Sequence, residues 1–171
     1  FLQATIEGEN AILESVMLGL NENKKTKLIC ELFCGSGTIT LPLLKKPYQI
    51  HAFELDKESL KSLHIAARKE SFGNRVKTKV RDLKNFPLTS DELSKYDAII
   101  VDPPRSGAKL QFLNIARSNV SIIVSISCNV NTFVRDAKIL IESNYELKWV
   151  QPIDQFLFSA HVELVAIFQL K

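Results

Sequence analysis

A cysteine and a glutamate in the second half of the chain are the residues best suited to covalent and acid–base chemistry. Cys128 stands between Ser127 and Asn129, just before a predicted helix whose dipole would favour a thiolate. Glu163 opens an otherwise apolar run that extends to Phe168. Apolar walls raise the pKa of a carboxyl, which makes it a competent general base. The alternatives are an inert core thiol and a carboxylate neutralised by a basic neighbour.

Three other strand ends suit the binding of an adenosyl group. Gly35 and Gly37 let the backbone turn tightly and approach a ligand, although such a pair also serves packing alone. Thr40 stands where a dinucleotide fingerprint needs its third glycine, and no P-loop lysine follows. Glu54 ends the next strand and can accept the ribose hydroxyls, while Asp82 ends the third and can reach an adenine amino group. This set favours S-adenosylmethionine (SAM) over a phosphate ligand.

Residues 102–105 (Asp-Pro-Pro-Arg) end the fourth predicted strand. Two prolines keep the backbone out of a helix and fix a rigid turn. The turn is either a structural loop or a rigid rim around a flat substrate base. Methyltransferases that act on amino nitrogens have a similar turn followed by an aromatic residue. Arg105 replaces that aromatic here, which weakens the case for an amino-nitrogen target.

Alternating strand and helix patterns must bring these residues together. The hydrophobic periodicity predicts helices over 4–20, 57–70, 108–117 and 130–143, a further helix that ends at Leu44, and strands over 27–33, 48–54, 75–81, 96–101, 120–127, 145–153 and 161–169. Alternation implies a parallel sheet with helices on both faces, and the last two strands, joined by a short loop, should pair antiparallel. The predicted fold is an open α/β sheet of seven strands with the last one reversed. Ligands of such sheets bind beyond the carboxyl ends of the strands.

Composition excludes several classes of protein. The chain has 171 residues, of which 46% are hydrophobic and 24% charged, as in an ordinary globular domain. A disordered chain, a collagen-like chain and a disulfide scaffold are therefore excluded. No apolar run is long enough for a transmembrane helix, so no membrane partner is expected. Three cysteines without metal-ligand spacing indicate a reducing compartment and hence a cytoplasmic location.

The net charge of +3 is too small to identify a nucleic-acid-binding protein. The basic residues are nevertheless concentrated between Lys61 and Lys84, where only Glu70 and Asp82 oppose them. This segment is either a solvated helix face followed by a charged edge strand that resists aggregation, or an RNA-facing patch. The sequence does not decide between these two interpretations.

Five motifs in this order resemble the RNA uracil-5 methyltransferases, a family that includes the tRNA T-loop and 23S rRNA uridine methyltransferases. They are residues 1–3 (Phe-Leu-Gln), 31–37 (Glu-Leu-Phe-Cys-Gly-Ser-Gly), 102–107 (Asp-Pro-Pro-Arg-Ser-Gly), 127–129 (Ser-Cys-Asn) and 161–163 (His-Val-Glu). The resemblance covers the chain as one catalytic domain, residues 1–171. It implies a Rossmann-like class I methyltransferase fold and SAM-dependent methylation of carbon 5 of a uridine in rRNA or tRNA.

The resemblance also implies a role for each candidate residue. The Cys128 thiolate would attack carbon 6 of the uracil and so make carbon 5 nucleophilic enough to take a methyl group. Glu163 would then remove the carbon 5 proton, and the thiol would leave by elimination. The residues that match cofactor-contacting positions of the family are Gln3, Phe33, Thr38, Glu54, Asp82 and Asp102.

The sequence departs from the family pattern at three positions. Glu31 stands where the family often has Asp, Thr38 where it often has Asn, and Val130 where it often has Pro. The iron–sulfur cluster of some relatives needs cysteines upstream of this domain, so no metal is expected here. We also expect the amino-terminal RNA-binding portions to be absent from this chain, and no obligate protein partner is evident.

Two other functions stay open at this stage. The first is SAM-dependent methylation of an amino nitrogen or a guanine in RNA, with Cys128 serving only as a structural residue. The second is a SAM- or RNA-binding module without catalytic activity. Both keep the predicted fold and the cofactor site, and they differ from the leading hypothesis in the role of one thiol.

Overall fold

The computed structural model describes residues 5–23, 25–155 and 162–171. The strands in these ranges are β1 (Leu28–Leu32), β2 (Gln49–Glu54), β3 (Val76–Val80), β4 (Ala98–Val101), β5 (Ile122–Ser127), β6 (Tyr145–Ile153) and β7 (Glu163–Leu170). The helices are α1 (Ile6–Asn21), α2 (Thr40–Leu43), α3 (Lys57–Lys69), α4 (Ser90–Leu93), α5 (Lys109–Ile115) and α6 (Val130–Ile141). None of the helices in these ranges is both long and apolar enough to cross a bilayer.

The strands form one sheet in the order β3-β2-β1-β4-β5-β7-β6. Strands β1 to β5 are parallel, and β7 runs antiparallel to β5 on one side and to β6 on the other. This confirms the predicted seven-stranded sheet with its last strand reversed. Strand β3 lies at the edge of the sheet, as its alternating pattern predicted, with Lys77 and Lys79 exposed to solvent.

Each face of the sheet has its own hydrophobic core. Helices α1, α2 and α3 cover one face, and α4, α5 and α6 cover the other. Strand β4 shows the division, because Ile100 packs into the first core and the adjacent Ile99 and Val101 into the second. All six residues of β5 are buried, which explains its continuous apolar pattern.

Local capping explains where several helices begin. The Asp56 side chain accepts a hydrogen bond from Ser59 N at the start of α3, and the Asn129 side chain caps α6 in the same way. Helix α4 begins with a reciprocal capping box between Thr89 and Glu92. The periodicity did not predict α4, because four residues are too few to show a helical repeat.

We expect Tyr145→Phe to lower the free energy of unfolding. Tyr145 is fully buried, and its hydroxyl donates a 2.9 Å hydrogen bond to the carbonyl oxygen of Val120, just before β5. Without the hydroxyl this carbonyl loses its partner in the core, which costs about 1–2 kcal/mol. Urea denaturation with an unchanged m value measures the loss.

Tyr48→Phe is the matched control for that measurement. Tyr48 is half-buried, and within the described part of the chain its hydroxyl makes no hydrogen bond. Its replacement should change the free energy of unfolding by less than about 0.5 kcal/mol. Equal losses in the two variants would contradict a role for the Tyr145 hydrogen bond.

Candidate active site

A cavity of about 710 Å³ opens at the carboxyl ends of the parallel strands. The structure brings the following predicted site residues to its wall: Phe33, Glu54, Asp82, Asp102, Cys128 and Glu163. Thr38 is half-buried and does not belong to the described residues that line the cavity. Gln3 lies outside the described residues. The roles assigned to these side chains therefore stay predictions, but most of them face one common space.

The turn after β1 bends the backbone toward this cavity. Phe33 has a φ of 63°, a left-handed conformation that non-glycine residues adopt only where the surroundings hold them. Its amide donates to the carbonyl oxygen of Phe53 at 2.9 Å. Gly37 has a φ of 93°, and a Cβ there would stand 2.4 Å from the Leu63 side chain. Both the conformation and the close approach to α3 require glycine at position 37.

The Glu54 carboxylate is held by main-chain amides at the end of β2. One oxygen accepts from Gly35 N at 3.1 Å, and the other accepts from Leu55 N and Asp56 N at 2.7 and 3.1 Å. These bonds fix the carboxylate against the glycine turn. The oxygen that accepts from Gly35 N alone retains a second lone pair for a hydroxyl of a bound ligand.

Asp82 has a similar local arrangement at the end of β3. One of its oxygens accepts from the amides of Lys84 and Asn85, and the other accepts from the Asn85 side chain at 2.7 Å. The hydrogen bonds from Asn85 lower the pKa of this carboxyl, which keeps it ionised. The cavity therefore has an anionic hydrogen-bond acceptor at the end of β3 as well as β2.

A further carboxyl, Glu31, lies beneath the glycine turn and received no role from sequence reasoning. It is 2% exposed and accepts a 2.7 Å hydrogen bond from the Thr40 hydroxyl. Burial raises its pKa to about 8, and the charge of Asp102 adds to that rise. An acidic residue inside the apolar run of β1 was the available signal for a buried carboxyl.

Two further carboxyls with raised pKa values line the cavity. Burial raises the pKa of Asp102 to about 7, and the neighbouring Glu163 contributes to the rise. Burial also raises the pKa of Glu163 to about 7, while a hydrogen bond from Gln155 opposes the rise. Their partial protonation near neutral pH means that the cavity gains negative charge as the pH increases.

Strand register places Cys128 beside Glu163. Ser127, the last residue of β5, pairs with Leu164 of β7, so the next residue of β5 and the preceding residue of β7 meet at the same edge. Helix α6 begins at Val130, as predicted. The expected ease of forming a thiolate is not found, however, because burial raises the Cys128 pKa and the Glu163 and Asp102 carboxylates raise it further. Arg105 acts in the opposite direction.

Helix α6 holds the loop that carries Arg105. The carbonyl oxygen of Arg105 accepts from Asn129 Nδ2 and from Thr132 Oγ1, both at 3.2 Å. The Arg135 guanidinium donates to the carbonyl oxygen of Ser106 at 3.1 Å. We call these donors, together with Asp136, the α6 clamp. The predicted rigid turn is thus fixed by a helix as well as by its prolines.

Asp136 is the buried member of this clamp. It is 2% exposed, accepts a 2.9 Å hydrogen bond from Ala108 N, and forms a 2.7 Å ion pair with Arg135. Sequence reasoning missed it. The available signal was its place on the buried face of α6, next to Phe133 and Ala137.

Potential metal ligands are not clustered in residues 5–23, 25–155 and 162–171. Within these ranges no three His, Cys, Asp or Glu side chains are grouped so as to hold a metal ion. Cys30, Cys34 and Cys128 are free thiols.

We expect Asp136→Asn to destabilise the protein by about 1–3 kcal/mol, because the substitution removes a buried charge from its Arg135 partner. Glu142→Gln, at the exposed end of the same helix, is the control and should cost less than about 0.5 kcal/mol. Chemical denaturation of both variants measures the difference. Equal stability of the two would show that the α6 clamp does not contribute to folding.

One family model matches nearly the whole chain, and the curated relatives are named RNA methyltransferases. The family model described as tRNA (uracil-5-)-methyltransferase matches residues 1–169. An uncharacterized RNA methyltransferase of Agrobacterium fabrum is 43% identical over 169 residues, which are 99% of this chain and 40% of that protein. A second, from Mesorhizobium japonicum, is 44% identical over 98% of this chain and 40% of its own length. The chain thus spans about 40% of the length of these relatives.

A solved structure shares the fold. The crystal structure of the Pyrococcus abyssi tRNA (uracil-54, C5)-methyltransferase, in complex with S-adenosyl-L-homocysteine, matches with a TM-score of 0.83 and 24% sequence identity. The match covers 98% of this chain and 40% of that one. A geranyl diphosphate methyltransferase in complex with SAM also matches, with a TM-score of 0.75 and 10% identity. The predicted methyltransferase fold is therefore confirmed.

Proposed function

The chain belongs to the tRNA (uracil-5-)-methyltransferase family, and from that premise we propose that residues 1–171 form the catalytic domain of a SAM-dependent RNA methyltransferase acting on carbon 5 of a uridine. The observation that carries the proposal is the pairing of a thiol and a carboxyl, Cys128 and Glu163, on the wall of one cavity. Addition of a nucleophile to a pyrimidine ring and later removal of a ring proton need these two groups.

The cavity suits the cofactor in size and in charge. Its volume of about 710 Å³ falls within the range of small-ligand sites. SAM supplies an electrophilic methyl group on a positively charged sulfonium. Glu54 would accept the ribose hydroxyls and Asp82 the adenine amino group, since both carboxylates are already oriented by main-chain amides. Asp102 would supply negative charge for the cationic part of the cofactor, and Phe33 would border it.

The protein side chains would act on the uracil in a fixed order. The Cys128 thiolate forms a bond to carbon 6, and the electron pair of the carbon 5–carbon 6 double bond moves toward the carbon 4 carbonyl. Carbon 5 then accepts the methyl group. Glu163 takes the proton from carbon 5, the double bond re-forms, and the bond between sulfur and carbon 6 breaks to return the thiolate.

The thiol must lose its proton before or during this attack. Burial raises the pKa of the Cys128 thiol, the Glu163 and Asp102 carboxylates raise it further, and Arg105 opposes them, so the thiol is held protonated by its surroundings. A target base would have to leave its stack in the RNA in order to reach this thiol. Arg105, held at the cavity by the α6 clamp, is well placed to contact such a base or its phosphate.

We expect Cys128→Ala to abolish methylation. The assay combines the full-length protein and labelled SAM with tRNA or rRNA, each purified from a strain unable to make 5-methyluridine. The product is identified by nucleoside analysis. The wild type should form 5-methyluridine in one of the two fractions. The variant should lose at least about a thousandfold in rate, because it lacks the nucleophile.

Trapping with RNA that contains 5-fluorouridine tests the same thiol directly. The fluorine on carbon 5 is not removable as a proton, so the wild type should remain attached to the RNA on a denaturing gel. Cys30→Ala, which removes a buried thiol outside the cavity, should still form the adduct. Methylation by Cys128→Ala would contradict the assignment of Cys128 as the nucleophile. Methylation of a nitrogen atom by the wild type would favour the amino-nitrogen or guanine alternative. SAM binding by the wild type without any methylation would favour a non-catalytic module.

We expect the affinity for SAM to increase as the pH rises from 6 to 8. Asp102 has a pKa of about 7 without a ligand, so it is largely neutral at pH 6 and ionised at pH 8. Binding of a cation favours the ionised form, and the dissociation constant should fall by up to about tenfold per pH unit below that pKa. Calorimetry measures the dependence.

Asp102→Asn should reduce this dependence, because the amide does not titrate, and the remainder would come from Glu163, whose pKa is also about 7. Asp91→Asn, at an exposed carboxyl in the first turn of α4, should leave it unchanged. A wild-type affinity that is constant across this pH range would contradict the assignment of Asp102 to the cofactor.

A further inference from the structure

Gln155 lies just beyond the end of β6 and contacts the proposed base. It is 2% exposed, and its Nε2 donates a 3.1 Å hydrogen bond to Oε2 of Glu163, which is also 2% exposed. Ile153, two residues earlier, is the register partner of Glu163 in the sheet. The amide therefore reaches the carboxylate from the neighbouring strand, and it remains outside the reaction described above.

We propose that Gln155 is a positioning residue, whose amide holds one oxygen of Glu163 and so presents the other oxygen to the proton on carbon 5. The inference rests on the proposed function, because it needs Glu163 to be the base. A buried carboxylate that can rotate must be fixed before it accepts a proton from one defined direction. The hydrogen bond to Oε2 supplies that restraint.

The chemistry of the amide also favours the reactive form of the base. The Nε2 group only donates hydrogen bonds, so it stabilises the ionised carboxylate more than the neutral acid. Burial raises the pKa of Glu163 to about 7, and the Gln155 bond works against this rise. Without the bond, the pKa of Glu163 would rise further and less of the base would be ionised at neutral pH.

Other charged groups at the cavity do not replace this effect. Asp102, at the end of β4, and Cys128, at the end of β5, are acidic groups whose ionisation disfavours a charge on Glu163. Arg105 is a cation on the facing loop, and it lowers the pKa of Cys128. His161 lies outside the described residues. Gln155 is neutral, so its hydrogen bond stabilises the Glu163 carboxylate at every pH of the assay.

Helix α1 packs against the other side of Gln155. A Cβ added at Gly8 would stand 2.6 Å from both Cβ and Oε1 of Gln155. The first turn of α1 can approach so closely only because residue 8 has no side chain. The amide is therefore confined between α1 and β7, which limits the orientations that it can adopt.

Gln155→Met in the full-length protein removes the donor while keeping a side chain of similar volume. With the RNA fraction that accepts methyl groups, the pH at which kcat reaches half its plateau should rise by about one unit. At pH 7 this shift lowers kcat about fivefold. The rate of adduct formation with 5-fluorouridine RNA should stay within about twofold of wild type, because that step precedes removal of the proton.

Natural RNA offers a second readout of the same step. If proton removal is slowed, the methylated protein–RNA adduct should accumulate in Gln155→Met during turnover, and it is detectable as labelled protein on a denaturing gel. A purely structural role of Gln155 would reduce adduct formation and turnover together and leave the pH profile in place. That result would overturn the inference.

Gln111→Met is the matched control. Gln111 is 1% exposed, and its amide bonds to both main-chain groups of Leu88, away from the cavity. Its loss should lower stability without moving the pH profile. Gly8→Ala is a second test if Gln155→Met folds poorly, since the added methyl displaces the amide and should move the profile in the same direction.

The outcomes separate the inference from the proposed function. If the wild-type protein makes no 5-methyluridine and forms no adduct, the proposed function fails. If the wild type is active and both Gln155→Met and Gly8→Ala keep its pH profile, the proposed function stands and the role of Gln155 is wrong.

Discussion

The antiparallel insertion of β7 between β5 and β6 is the constraint on which the candidate site depends. A sheet made only of parallel strands would place every carboxyl end on one edge and every amino end on the other. Reversing β7 brings the first residue of a strand to the edge where five strands end. The pairing of Ser127 with Leu164 then puts a thiol and a carboxyl, Cys128 and Glu163, which are 35 positions apart in the sequence, next to each other at this edge. A shift of one residue would turn Glu163 to the opposite face.

Burial creates an electrostatic imbalance at this edge. Glu31, Asp102 and Glu163 all have raised pKa values, and burial is the largest cause for each. Acidic groups placed close together in a poorly hydrated space oppose one another's ionisation. The same arrangement that disfavours a thiolate favours a bound cation. A cationic ligand would place its charge close to these carboxyls and favour their ionised forms.

The sequence was informative wherever periodicity or position along a strand carried the signal. The apolar runs and their alternation predicted the sheet, and the strand ends predicted Glu54, Asp82 and Asp102 as cavity residues, which they are. Side chains whose partners are distant in sequence could not be found in this way. Asp136 meets Ala108, 28 residues away, and only the packed fold shows that contact. The Cys128 pKa was misjudged because the helix start is visible in the local sequence, whereas the burial of the thiol and the nearby carboxylates of other strands arise only in the packed fold.

The α6 clamp has a consequence for how such a site can change over time. Its donors bind main-chain carbonyl oxygens of residues 105 and 106, and Asp136 binds the main-chain amide of residue 108. These hydrogen bonds to the main chain at residues 105 and 106 therefore do not depend on the side chains of those two residues. A substitution at position 105 would change the side chain that lines the cavity and leave the main-chain hydrogen bonds beneath it in place. The chemical character of this part of the cavity wall can therefore vary while the fold is retained.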